Sequence, residues 1–110
     1  MNNKKKLFIS MPMNGRSLDE IREAMNNLFE LFKRVQYYKN DNSEYELLDT
    51  VFDFDDKNGI YYLGQSLLKL SEADVALFAR EWQGARGCKL ENEIAVLYSV
   101  PEIRYETELH

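Results

Sequence analysis

With 110 residues, the chain has the length of one small domain around a single core. Its 45% hydrophobic and 30% charged residues form an ordinary folded-protein composition and argue against disorder. The net charge of -5 leaves no basic footprint for a nucleic-acid polymer, whereas a small phosphorylated ligand needs only a local positive spot.

The one basic cluster, Lys4-Lys5-Lys6, reads as the solvated end of a first strand, with a nucleic-acid role as the alternative. A single cysteine, Cys88, excludes an internal disulfide and fits a reducing compartment. The start is polar and no apolar run approaches membrane length, so neither a signal peptide nor a membrane partner is expected, and the expected location is cytoplasmic. The only histidine is His110 at the C-terminus. That argues against a Ser-His-Asp or Cys-His site and against a metal site built on His or Cys. Carboxylates, hydroxyls, arginines and backbone amides remain to do any chemistry, and no cofactor is implied.

Lys6 to Ser10 reads as a short buried strand, and Met11 to Arg16 as a loop. Ser17 opens a long helix, with Glu20 at capping-box spacing. Leu18, Ile21, Met25, Leu28, Phe32 and Val35 recur at steps of three and four and form its buried face. The helix fades in the polar cluster Asn40 to Ser43. Tyr45 to Leu48 is a second strand, and Asp49 to Gly59 an acidic loop. Asp53, Asp55 and Asp56 invite a calcium-loop reading, but Lys57 sits where a ligand belongs and no glycine follows at the turning position. A solvated loop is the simpler reading.

Ile60 to Leu70 is a second helix, with Leu63, Leu67, Leu68 and Leu70 on its apolar side. Asp74 is expected to order the turn before a third strand, Val75 to Phe78, which is apolar throughout. Arg80 to Gly87 reads as a loop, Cys88 to Tyr98 as a third helix and Ile103 to Tyr105 as a last strand. Alternating strands and helices call for a parallel sheet with right-handed crossovers and helices on both faces. The predicted fold is one α/β domain, a flavodoxin-like doubly wound three-layer sandwich with a small parallel sheet. Ligands of such folds sit beyond the carboxyl ends of the strands, at the switch in strand order. The loops in question are 11–16, 49–59 and 79–87.

The first of these loops follows Ser10 and contains Met11, Pro12, Met13, Gly15 and Arg16. It enters a helix N-terminus, which favours anions. Gly15 would let backbone approach a ligand, and Arg16 could fork onto a phosphate, but a plain strand-to-helix turn has the same composition. The third loop carries Trp82, Gly84, Arg86 and Gly87 at another helix start. Trp82 offers a stacking face for a base or sugar, or is a half-buried lid residue. Glu91 falls in the first turn of the predicted third helix, where the dipole favours its ionised form. An ionised carboxylate at a cleft floor can attack a sugar C1 or support an oxocarbenium-like transition state. Acids are also common in first turns for dipole reasons alone. Ser66, beside Gly64 and Gln65, faces a ligand or merely packs, and Tyr61 and Tyr62 offer hydroxyls or anchor the helix. Cys88 reads as a small buried hydrophobe.

Three stretches resemble the nucleoside 2-deoxyribosyltransferase superfamily. Leu7-Phe8-Ile9-Ser10-Met11-Pro12-Met13-Asn14-Gly15 is similar to its first strand and ligand loop, and Ala73-Asp74-Val75-Ala76-Leu77-Phe78 to its central strand. Gly87-Cys88-Lys89-Leu90-Glu91, with Ala95 four residues on, is similar to the Gly-Thr/Ser-x-x-Glu-x-Gly-x-Ala segment in which the Glu is the catalytic nucleophile. Short phage and bacterial members share the pattern of Tyr62 to Ser66 and of Trp82 to Glu91 above all. The resemblance implies Glu91 as catalytic residue, a small-molecule nucleotide or nucleoside as partner, and a homodimer or larger homo-oligomer with sites completed across subunits. Phe29, Tyr37 and Tyr38 on the first helix are candidates for that interface.

The chain also departs from the pattern. Cys88 stands for the Thr/Ser and Glu93 for a Gly, while Gln65, Ser66, Ala85 and Arg86 occupy regions where characterised transferases carry aspartates. Arg16 and Arg86 tilt the expected ligand toward a nucleotide with a phosphate, as in the superfamily's nucleoside-monophosphate N-glycosidases. The expected function is N-glycosidic bond cleavage, as hydrolase or deoxyribosyltransferase. The alternatives are a nucleotide-binding sensor or sponge without turnover, and an interaction domain with a vestigial cleft.

Overall fold

Successive side chains of the first strand enter two different buried clusters, and that alternation of faces organises the molecule. The computed structural model describes residues 4–52 and 58–105. Asp53, Asp55, Asp56 and Lys57 of the acidic loop, and His110, lie outside the described residues. Strand β1 (Lys5–Ser10) sends Leu7 and Ile9 to one face and Phe8 to the other, as the two-residue period of a strand requires. Helix α1 (Leu18–Tyr38) covers the Leu7 and Ile9 face. Its Ile21, Met25 and Phe32 are buried there, while Leu18, Leu28 and Val35 pack at the margin.

After α1 come β2 (Tyr45–Leu47), α2 (Gly59–Leu70) and β3 (Val75–Phe78). A 3-10 turn at Trp82–Gly84, α3 (Arg86–Leu97) and β4 (Glu102–Arg104) complete the order. On β3, Leu77 joins the α1 face, and Ala76 and Phe78 join Phe8 on the other. That second face is covered by Leu70 of α2 and by Cys88 and Ala95 of α3. The result is helix, sheet, helix: one helix on one side and two on the other.

The described sheet is parallel throughout, in the order β2-β1-β3-β4. The chain therefore steps from β1 outward to β2, then crosses back to the opposite side of β1. This is the flavodoxin-like arrangement, and its switch point lies between β1 and β3. Phe8, Phe32, Phe78, Leu7 and Leu77 are fully enclosed. Each such side chain contributes about 1.5–3 kcal/mol relative to exposure. No helix among the described residues is long and apolar enough to cross a membrane.

The elements begin and end for local reasons. Ser17 Oγ accepts from the Glu20 amide at 3.1 Å and the Ser17 amide donates to Glu20 Oε1 at 2.8 Å, which completes the expected capping box. Asn58 caps α2 by accepting from the Tyr61 amide at 3.2 Å. Asp74 does order its turn: its Oδ2 accepts from the Lys6 amide at 2.7 Å, and its own amide donates to the Lys6 carbonyl at 2.8 Å.

Several expectations need correction: the last strand spans Glu102–Arg104 rather than Ile103 to Tyr105, and Leu68 of α2 is exposed rather than on the buried side. The third helix begins at Arg86 rather than Cys88, because the 3-10 turn tightens the preceding loop and starts the helix earlier. Phe29 is not an exposed aromatic: it packs against the α1 core, with Lys33 Nζ 4.4 Å above its ring. Tyr37 and Tyr38 are exposed, at 71% and 78%.

Candidate functional site

Where the chain reverses its winding, the carboxyl ends of the strands open into a cavity of about 600 Å³. Clefts of this size take small organic ligands. Ser10 to Asn14 line it from the end of β1, Thr50 and Phe52 from the segment after β2, and Ala85 to Cys88 from the start of α3. Gly59, Ile60, Tyr62, Leu63 and Ser66 of α2 form a further wall. Leu90 and Glu91 complete the α3 side. The lining is largely apolar, with a few polar groups converging on one place.

That place is the Glu91 carboxylate. On α3, Cys88, Glu91, Asn92 and Ala95 follow each other at steps of three, one and three, and so share the inward face. Glu91 is buried, at 7% exposure. Ser10 lies on the same sheet face as Phe8, toward α2 and α3, and its hydroxyl donates to Glu91 Oε1 at 2.6 Å. Ser66, one turn beyond Leu63 on α2, donates to Glu91 Oε2 at 2.5 Å. Three elements thus meet at one carboxylate.

The electrostatics differ from the expectation. With α3 starting at Arg86, Glu91 lies in the second turn, past the range over which a helix dipole acts strongly. Burial dominates and pushes the Glu91 carboxyl above its ordinary value, while the Ser10 and Ser66 hydroxyls oppose that rise. Burial also pushes the neighbouring Cys88 thiol up to about 11, with a smaller upward contribution from the Glu91 charge. Cys88 is therefore a protonated thiol at neutral pH and behaves as the small buried residue expected.

Helix α3 begins without a capping side chain at Ala85. Its first residues, Arg86 and Gly87, are exposed and line the mouth of the cavity. The helix start and the guanidinium make that rim favourable to an anion. Among the described lining residues, Arg86 is the only cation and Glu91 the only acid.

Of the residues singled out in the sequence, Ser10, Met11, Pro12, Met13, Ser66, Arg86, Gly87 and Glu91 come together around this cavity. Gly15, Arg16 and Trp82 do not line it. Gly15 has φ +79°, a left-handed turn position that suits glycine, and the Arg16 amide donates to the Met13 carbonyl at 3.2 Å. This turn leads the chain away after Asn14, so Gly15 serves the turn and not a close backbone approach. Trp82 is rotated inward by the 3-10 turn and packs on Phe78, with ring centroids 5.6 Å apart. The Arg104 guanidinium lies 5.4 Å from its ring. Trp82 is a core residue here and neither a stacking platform nor a lid.

Thr50, Phe52 and Asn58 line the cavity from the 49–59 loop, though none of them was singled out individually. Their position after β2 and at the start of α2 was the available signal, since that loop borders the strand ends. Buried Asn92 was also missed. It donates to Glu102 at 2.6 Å and ties α3 to β4, a pairing across ten residues that no local pattern announces.

No family model, no curated protein and no solved structure matches the chain. The cavity's own chemistry therefore carries the functional reading.

Proposed function

We propose that this chain binds a nucleoside or nucleoside monophosphate in the cavity and cleaves its N-glycosidic bond, with Glu91 as nucleophile. The observation that carries the reading is a buried carboxylate on the floor of a ligand-sized cavity, held at both oxygens by serine hydroxyls. Such a carboxylate is oriented and poorly solvated, which suits attack on a sugar carbon. Glu91 attacks C1′, the base departs with the electron pair of the C–N bond and takes up a proton from water, and a glycosyl ester remains on Glu91. Water releases the sugar in a hydrolase, and a second base accepts it in a transferase. Arg86 and the open start of α3 would hold a phosphate at the cavity mouth. The resemblance of the Gly87 to Glu91 segment to the nucleoside 2-deoxyribosyltransferase superfamily supports the same assignment, and with it a cytoplasmic homo-oligomer.

A second reading, binding without turnover, is favoured by one observation. Among the described lining residues no second acid stands ready to protonate the leaving base. Incubation with a panel of nucleosides and nucleoside monophosphates, followed by chromatography for free base, separates the two. Base release by the parent chain, reduced at least about 10³-fold in Glu91→Gln, is the expected result. Full turnover by Glu91→Gln removes Glu91 from the chemistry. Ligand-induced melting shifts without any base release select the binder.

A further inference from the structure

We infer that Ser10 and Ser66 are positioning residues: their hydroxyls clamp the two oxygens of Glu91, one each, favour its ionised form and hold the carboxylate in place at the cavity. The inference rests on the proposed reaction for its purpose, but not for its geometry. The hydroxyls come from the end of β1 and from α2, elements that meet only through the fold, and each reaches a different oxygen. Two donors on two oxygens fix the plane of the carboxylate as well as its position. Distances of 2.6 and 2.5 Å are those of hydroxyls bonded to a charged oxygen.

The clamp answers a cost. A buried carboxylate loses its hydration and needs either a cation or hydrogen-bond donors. The charged or titratable groups sharing the cavity with Glu91 are Cys88 and Arg86 on α3 and Tyr62 on α2. The described residues lining it from β1, from the loop after it and from the segment after β2 carry none. Cys88 is uncharged and Arg86 is exposed at the mouth, so the serines carry the compensation.

The assignment changes what the serines do for a ligand. A serine hydroxyl has one proton to donate. While Glu91 is ionised, both protons are committed to it, and neither serine has one left for a phosphate or a base carbonyl. Anion binding then falls to Arg86 and the start of α3.

The test is a carbon-13 NMR titration of the Glu91 carboxyl, assigned by the signal that disappears in Glu91→Gln. It is run on the full chain and on Ser10→Ala, Ser66→Ala and Ser66→Thr. Each alanine variant should raise the Glu91 pKa by about one unit, the scale of a lost hydrogen bond to a charged group. Ser66→Thr, which keeps the hydroxyl, should restore the parent value. Should Ser10→Ala fail to fold, Ser10→Thr and Ser66→Ala carry the same comparison. A titration that stays in place in the folded alanine variants overturns the inference, as does a rise in Ser66→Thr equal to that in Ser66→Ala. A loss of melting temperature without movement of the titration means a merely structural role and overturns it as well. The titration needs no turnover, so it stands if no base is ever released. If base is released, the acid limb of kcat/KM should move with the NMR value.

Discussion

Glu91 combines a stability cost with a chemical use. Its carboxyl lies above the ordinary 4.5 because burial penalises the charge. Relative to the unfolded chain, folding therefore favours the protonated form. That preference supports folding fully below the unfolded-state value and is lost as pH rises through the folded-state value. Glu91→Gln removes the loss and keeps polar atoms facing Ser10 and Ser66. Thermal melts should show the variant more stable than the parent at pH 7, with the two curves converging toward pH 4. A parent that remains the more stable at pH 7 would mean that the serine bonds outweigh the burial penalty. Asp41 behaves in the opposite way. Its carboxylate accepts from Tyr45, Gln36 and the Ser43 amide and is held well below the usual range. The stability it lends is present above the ordinary carboxylate value and fades as pH falls below it.

At the scale of elements, the helix ends show how local chemistry positions the site. Helix α3 closes with the Ser99 amide donating to the Val96 carbonyl at 3.2 Å and the Val100 amide to the Ala95 carbonyl at 2.8 Å. This is a Schellman pattern, and Val100 packs on the same core as Ala95. It requires Ser99 at φ 60°, a left-handed position disfavoured for a residue with a Cβ. Ser99→Gly should therefore raise stability by about 0.5–1 kcal/mol, read as a higher denaturant midpoint at unchanged slope. A lower midpoint would show that the serine side chain contributes more than the backbone costs. Helix α1 ends the same way at Asn40, φ 63°, where asparagine tolerates the conformation better. The capping box at Ser17 and the apolar stripe of α1 were legible from spacing alone. The start of α3 was not: the 3-10 turn before it depends on Trp82 finding a place under Phe78.

For the whole molecule, the switch of winding between β1 and β3 creates the cavity, because helices on opposite faces leave the strand ends uncovered between them. A ligand that fills it binds only the folded chain and must stabilise it. At one hundred times its Kd a nucleoside monophosphate adds about 2.7 kcal/mol. For a domain of this size that is a rise in Tm on the order of 10 °C. Differential scanning fluorimetry with nucleosides, nucleoside monophosphates, free bases and pentose phosphates reads it directly. Lack of any shift across that panel would sink both the catalytic and the binding reading. Arg86→Ala should weaken the monophosphates more than the nucleosides, since it removes the one described cation at the mouth.

Periodicity and turn chemistry by themselves determined the order of elements, the parallel sheet and the face α1 buries, because each follows from residues close in the chain. They also brought attention to Glu91, Ser10 and Ser66 as separate candidates. Only the tertiary structure decided that the three meet, that Glu91 is governed by burial more than by the helix dipole, and that Trp82, Gly15 and Arg16 stand outside the cavity. Those outcomes depend on contacts across dozens of residues and on where water is excluded, and no local pattern carries either.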